Sequence, residues 1–149
     1  GINRVLDVSD PDNVTLLSTI RLPVNDTVDP ATGQFVCPPG QHSTHYIWFD
    51  HRTPGTLFYQ AWYGQGLRVF DISNPYAPKE VGYYVSPNYH DPKAKQRALG
   101  ARHTREVYLD PQTNLLYVTD GNGGGLTVLR YTGPMPMAPP IPGARGVLK

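Results

Sequence analysis

Apolar side chains recur at every second position along several short stretches of this chain. In Leu67-Arg68-Val69-Phe70 and Leu126-Thr127-Val128-Leu129 they alternate with other residues, the period of a strand with two unlike faces. Each of these runs follows another apolar run across a glycine-bearing break. Leu57-Phe58-Tyr59-Gln60-Ala61-Trp62 precedes Tyr63-Gly64-Gln65-Gly66, and Leu115-Leu116-Tyr117-Val118-Thr119-Asp120 precedes Gly121-Asn122-Gly123-Gly124-Gly125. Two strand runs joined by a short glycine-rich link predict a hairpin. A further strand is predicted ahead of each hairpin, at Tyr46–Asp50 and Glu106–Asp110, and one behind the first, at Val81–Val85. No segment has a helical period, although Ala94–Leu99 would suit a single turn.

The two hairpin units are copies of each other, and a third, partial copy opens the chain. It reads Ile2-Asn3-Arg4-Val5-Leu6-Asp7-Val8-Ser9-Asp10-Pro11, then Val14-Thr15-Leu16-Leu17-Ser18-Thr19-Ile20. Asp7-Val8-Ser9-Asp10-Pro11 matches Asp71-Ile72-Ser73-Asn74-Pro75. Asp and Ser accept bonds from nearby backbone N–H groups and Pro fixes φ, so both are turns. Asp71 should brace its turn in this way, and Arg68, Pro75, Gly66 and Gly125 complete the structural signature. Four antiparallel strands joined as a meander make a propeller blade. The fold class is therefore all-β, about two and a half four-stranded antiparallel blades of a larger propeller.

Asp7 lies 64 residues before Asp71, and Asp71 lies 59 before the matching Arg130. A lean blade takes roughly 40–45 residues, so the excess predicts insertions. The divisions are a partial blade at 1–22, an inter-blade insertion at 23–42, a full blade at 43–86, an insertion at 87–102, a terminal blade at 103–132 and a proline-rich tail at 133–149. Proline at the tail's density cannot join a sheet ladder, so an extended segment is expected there, either loose or strapped along a partner.

Composition supports a packed structure. Charged residues make up only 17%, while the chain has ten Tyr, four Phe and two Trp, the reverse of a disordered composition. A net charge of +1 creates no field that would attract nucleic acid. The densest basic cluster, Lys93, Lys95, Arg97, Arg102 and Arg105, lacks interleaved aromatics and reads as a solvated loop. The single cysteine, Cys37, cannot form a disulfide within the chain and reads as a buried or free thiol. No stretch has the roughly 20 apolar residues of a membrane span.

The run Gly66-Leu67-Arg68-Val69-Phe70-Asp71-Ile72-Ser73-Asn74-Pro75-Tyr76-Ala77-Pro78-Lys79-Glu80-Val81-Gly82-Tyr83-Tyr84 resembles the LVIVD repeat family of prokaryotic surface and exported proteins. Leu116–Asp120 with Gly124–Leu129 resembles it again. The third copy departs from the pattern, with Arg130-Tyr131 where Asp-Ile would stand. The resemblance implies a β-propeller, of which these residues would be the C-terminal part, in an extracellular, cell-surface or periplasmic setting. It implies little about activity, because the signature residues are turn and core residues. In fold the family is also distantly similar to the selenium-binding proteins, propellers that include copper-dependent methanethiol oxidases.

Candidate chemistry is confined to a few places. His42-Ser43-Thr44-His45 and His103-Thr104-Arg105 each stand just before the first strand of a unit, at one end of a propeller's central channel. Arg105 is expected on the channel rim. His45, His42 and His103 would be the ligands of a metal site there, and imidazoles with a thiolate suit copper or zinc. The plainer reading is that these histidines hydrogen-bond loops, with no cofactor and no catalytic residue. Tyr89-His90-Asp91 offers a His–carboxylate pair but only as one dipeptide. Asp120-Gly121-Asn122-Gly123 lacks the downstream Glu of a calcium loop and reads as a hairpin turn. The sequons Asn13-Val14-Thr15 and Asn25-Asp26-Thr27 matter only where the chain is glycosylated.

Two functions follow. The first is a non-catalytic binding or assembly module of an exported or cell-surface propeller. The second is a metal-dependent, copper-type oxidoreductase. In either case 149 residues with insertions and a tail fall short of the four to eight blades of a closed ring. The remaining blades are the expected partners, as upstream sequence or a companion chain, and copies of this chain in a homo-oligomer would also serve.

Overall fold

The structure is a computed structural model and describes residues 2–34, 43–53, 55–86 and 103–136. Cys37, His42, Tyr89-His90-Asp91, Ala94–Leu99, the basic cluster apart from Arg105, and the tail beyond residue 136 lie outside the described residues. Among the described residues, nine strands form three antiparallel sheets. Sheet 1 pairs β1 (Asn3–Asp7) with β2 (Thr15–Ile20). Sheet 2 is a four-stranded meander of β3 (Ile47–Phe49), β4 (Leu57–Ala61), β5 (Leu67–Asp71) and β6 (Lys79–Tyr84). Sheet 3 runs β7 (Thr104–Leu109), β8 (Leu116–Asp120) and β9 (Gly125–Leu129). The fold is all-β, and its strands fall on the runs marked by alternation and glycine-rich links. A short 3-10 turn at Pro23–Asp26 follows β2. Among the described residues no helix is long and apolar enough to cross a membrane.

Strand alternation decides which side chains share a face, and the stacking of the sheets decides which faces are buried. On one side of sheet 2, Leu57, Tyr59, Leu67 and Val69 meet Val107, Leu109, Leu116 and Val118 of sheet 3. On the other, Phe58, Trp62 and Phe70 meet Ile20 and Leu22 at the end of sheet 1. Sheet 2 is thus covered on both faces, and every residue of β4 is buried. Burying a large apolar side chain contributes roughly 1.5–3 kcal/mol, so these two interfaces are the main source of cohesion.

The register repeats from sheet to sheet. β1 pairs with β2, and β5 with β6, with the same slip, between Val5 and Leu6 and between Val69 and Phe70. Such bulges bend and twist a strand pair, so the two pairs present their faces alike. Asp50 N–H bonds to Leu57 O and Asp110 N–H to Leu115 O, which places Leu57 and Leu115 at one position. Pairing then carries Tyr59 onto Tyr117, Leu67 onto Leu126 and Val69 onto Val128.

Beyond β9 the chain leaves the sheet. The ring of Tyr131 lies edge-on to Tyr59, centroids 5.7 Å apart, and its hydroxyl donates to Pro134 O at 3.0 Å. Thr56 Oγ1 donates to Pro136 O at 2.8 Å. The start of the proline-rich segment is therefore strapped across this chain's own second sheet.

Candidate functional site where the second and third sheets meet

His45 stands two residues ahead of β3, where its N–H bonds to Ala61 O at 2.9 Å. His103 stands one residue ahead of β7, its N–H held by Asp120 Oδ2 at 2.7 Å. Between them sits Tyr63, at the start of the β4–β5 hairpin. Thr104 N–H donates to Tyr63 O at 3.0 Å, joining the two sheets by backbone. The rings meet in series, tilted to each other, His45 to Tyr63 at 5.0 Å and Tyr63 to His103 at 4.4 Å between centroids. Tyr46 meets His45 edge-on at 4.9 Å.

The geometry fixes the tautomer of His45. Its Nδ1 lies 2.7 Å from Arg105 O. A carbonyl oxygen can only accept, so Nδ1 carries the proton and Nε2 is the basic nitrogen of the neutral ring. Arg105 takes part through its carbonyl, while the residue itself is exposed. Gly121 packs closely here: a Cβ there would lie 3.1 Å from His103 Nδ1 and 3.2 Å from Arg105 Cδ, so those side chains would have to give by a few tenths of an ångström. Tyr63 itself has φ +32°, a conformation that costs a non-glycine residue about 1–3 kcal/mol. Of the three histidines proposed as ligands, the structure thus brings His45 and His103 to the same tyrosine. Among the described residues no three His, Cys, Asp or Glu side chains form a group able to hold a metal.

The signature residues do local work. Asp71 is half-buried, and its Oδ1 accepts the Ser73 N–H at 2.8 Å. Pro75 O accepts the Ser18 hydroxyl at 2.5 Å, tying this turn to sheet 1. Arg68 donates to Gln65 O and to Glu80 Oε1, both at 2.9 Å, and lies over the Tyr83 ring. Gly66 and Gly125 have φ +81° and +82°, the left-handed conformation that favours glycine. Asp120 Oδ1 accepts the N–H groups of Asn122 and Gly124, so this loop is a hairpin turn.

A second polar cluster was missed by sequence pattern. Asp50, only 1% exposed, accepts the Tyr59 hydroxyl at 2.6 Å and the Arg52 guanidinium at 2.9 and 2.6 Å. Burial works against the charge of Asp50, but hydrogen bonds from Arg52 and Tyr59 outweigh it and hold its carboxyl below the usual range. Burial and the neighbouring carboxylate push the Tyr59 hydroxyl well up. The one local signal was the Asp50-His51-Arg52 spacing. Tyr59 reaches the cluster only through the pairing of β3 with β4.

The LVIVD repeat family model matches residues 56–86, the stretch holding β4, β5, β6 and the Asp71 turn. No curated protein and no solved structure matches the chain. The middle sheet of this propeller-like stack carries an LVIVD repeat.

Proposed function

We propose that the chain is a non-catalytic binding and assembly module, a set of blades whose outer faces are covered by further blades of an exported or cell-surface propeller. One observation carries the reading. Positions buried where a neighbouring sheet lies against them are exposed at the two ends of the stack. Phe70 is 2% exposed and its counterpart Leu6 46%; Val69 is 3% exposed and its counterpart Val128 50%. Leu16 and Leu126 are exposed beside them. Exposed apolar faces of this kind mark interaction surfaces.

The test uses single cysteines, Leu6→Cys and Leu126→Cys, in a Cys37→Ser background of the protein isolated as it occurs in the cell. Both should be shielded from a water-soluble maleimide, while Asp12→Cys in an exposed turn reacts freely. Equal reactivity of all three in a 16.5 kDa monomer would overturn the reading. Cell fractionation decides the compartment.

A second reading, a metal-dependent oxidoreductase, is favoured by one observation. A backbone carbonyl on Nδ1–H is how proteins orient histidine ligands, and His45 has that arrangement. Stoichiometric copper or zinc in the isolated protein, lost in His45→Ala, would establish it over the assembly reading.

A further inference from the structure

Sheet 3 has three strands among the described residues, with β9 at its outer edge. In the other two sheets the matching strand is covered on that side, β5 by β6 and β1 by β2, both antiparallel and both with the same register slip. The backbone of β9 is set up for the same pairing. In sheet 2, Trp62 N–H donates to Gly66 O and Ile72 N–H to Thr56 O. Antiparallel bonding alternates along a strand, so Arg68 and Phe70 bond towards β4, while Leu67 and Val69 turn their N–H and C=O groups towards β6. Carried to β9 by register, Leu126 and Val128 turn theirs to the uncovered edge. The chain does not fold back onto that edge within the described residues. Tyr131 is held against Gly82 of β6, where a Cβ would lie 3.2 Å from its Cε2, and residues 131–136 run to Thr56 instead.

We infer that the outer edge of β9 takes an extended antiparallel strand of the β6 kind from another polypeptide segment. Strand addition of this sort draws affinity from main-chain bonds and selectivity from alternate side chains. The selective position is opposite Val128. Gly82 stands opposite Val69 and Ser18 opposite Val5, so the incoming strand carries a small residue there. The inference rests on the assembly reading above and names one partner for it.

The probe is a fluorescent peptide copying Pro78–Ser86, titrated into the intact chain and followed by anisotropy. Binding should be saturable, and hydrogen exchange should slow at the Leu126 and Val128 amides. Val128→Pro removes an edge-facing N–H, the setting in which strands tolerate proline. It should weaken binding at least about tenfold, the equivalent of roughly one hydrogen bond, with the thermal melt retained. A peptide with Trp in place of Gly82 should bind as weakly to the unaltered chain, which keeps the test decisive if Val128→Pro fails to fold. No binding, or equal binding of both peptides, would overturn the inference. So would a dimer, dissolved by Val128→Pro, in which two β9 strands pair with each other. Shielded cysteines at positions 6 and 126 alongside a peptide that does not bind would leave the assembly reading standing and remove only this edge.

Discussion

At the residue scale the recurrent device is an aspartate at or just past the end of a strand. Asp7, Asp50, Asp71, Asp110 and Asp120 each accept the N–H two residues on. A carboxylate oxygen so placed satisfies a backbone donor that has left its ladder. Asp71→Ala should therefore cost about 1–2 kcal/mol, read as a fall in melting temperature, and Asp71→Asn, which keeps the acceptor oxygen, should restore most of it. This role was legible in the sequence because the whole motif is local. The Asp50–Arg52–Tyr59 cluster was not, because its members meet only through strand pairing and burial. Removing Asp50 leaves Arg52 and the Tyr59 hydroxyl without their shared acceptor, and Asp50→Ala should cost about 3 kcal/mol, the low end for breaking a buried pair. Its pH signature has a definite sign. The folded pKa of Asp50 is depressed, so its contribution is present above the unfolded value near 3.9 and is lost as pH falls through the folded value. The folded pKa of Tyr59 is raised, so its contribution is present below the unfolded value near 10 and is lost as pH rises beyond it. Acid and alkaline denaturation curves should accordingly flatten in Asp50→Asn and Tyr59→Phe respectively, and unchanged limbs would remove the cluster from the account.

At the scale of the element, the hairpins are where sequence and structure agree most closely. Their strands and links were set by alternation and by glycines with positive φ, both short-range properties. Which faces those strands bury was less accessible. The alternation of Leu57, Tyr59 and Ala61 against Phe58 and Gln60 says only that they point in opposite directions. That both sets are buried follows from a sheet on each side. The two hairpin glycines show how context separates equivalent positions. Gly66 and Gly125 share the same backbone conformation, so alanine is strained at either, by roughly 1–2 kcal/mol. At Gly125 nothing lies within 4 Å of an added Cβ, whereas at Gly66 the Cβ would collide with the carbonyl oxygen of Tyr84 on β6. Gly66→Ala should therefore lower the melting temperature well beyond Gly125→Ala, and equal losses would show that β6 yields easily. The meeting of His45, Tyr63 and His103 was half legible. The sequence placed each histidine just ahead of a strand, but Tyr63 between them depends on the angle at which sheets 2 and 3 pack.

For the whole molecule, the two sheet-to-sheet interfaces among the described residues are built from matching positions, so one predicts the other. Sheet 2 offers Phe70 and Phe58 to the sheet before it and Val69 and Tyr59 to the sheet after it. Sheet 1 offers Leu6 at the Phe70 position, and sheet 3 offers Val128 and Tyr117 at the Val69 and Tyr59 positions. The two ends of the stack thus carry opposite halves of the same contact. Such faces are heterologous, and they close into a ring when the rotation between sheets allows. Paired substitutions at equivalent positions read whether closure occurs. Phe70→Ala empties a filled interface and should cost about 3–5 kcal/mol in any state of the protein. Leu6→Ala occupies the same register but is covered only if another blade lies against sheet 1. In the isolated chain it should leave the melt within about 0.5 kcal/mol of the parent, as exposed substitutions do. In the assembled protein the same change should cost about 2–3 kcal/mol, the loss expected of a buried leucine. Leu126→Ala should behave in the same way at the other end. Melts recorded for both forms of each variant make the comparison, and a Leu6→Ala cost that is negligible in both would mean that nothing covers this face.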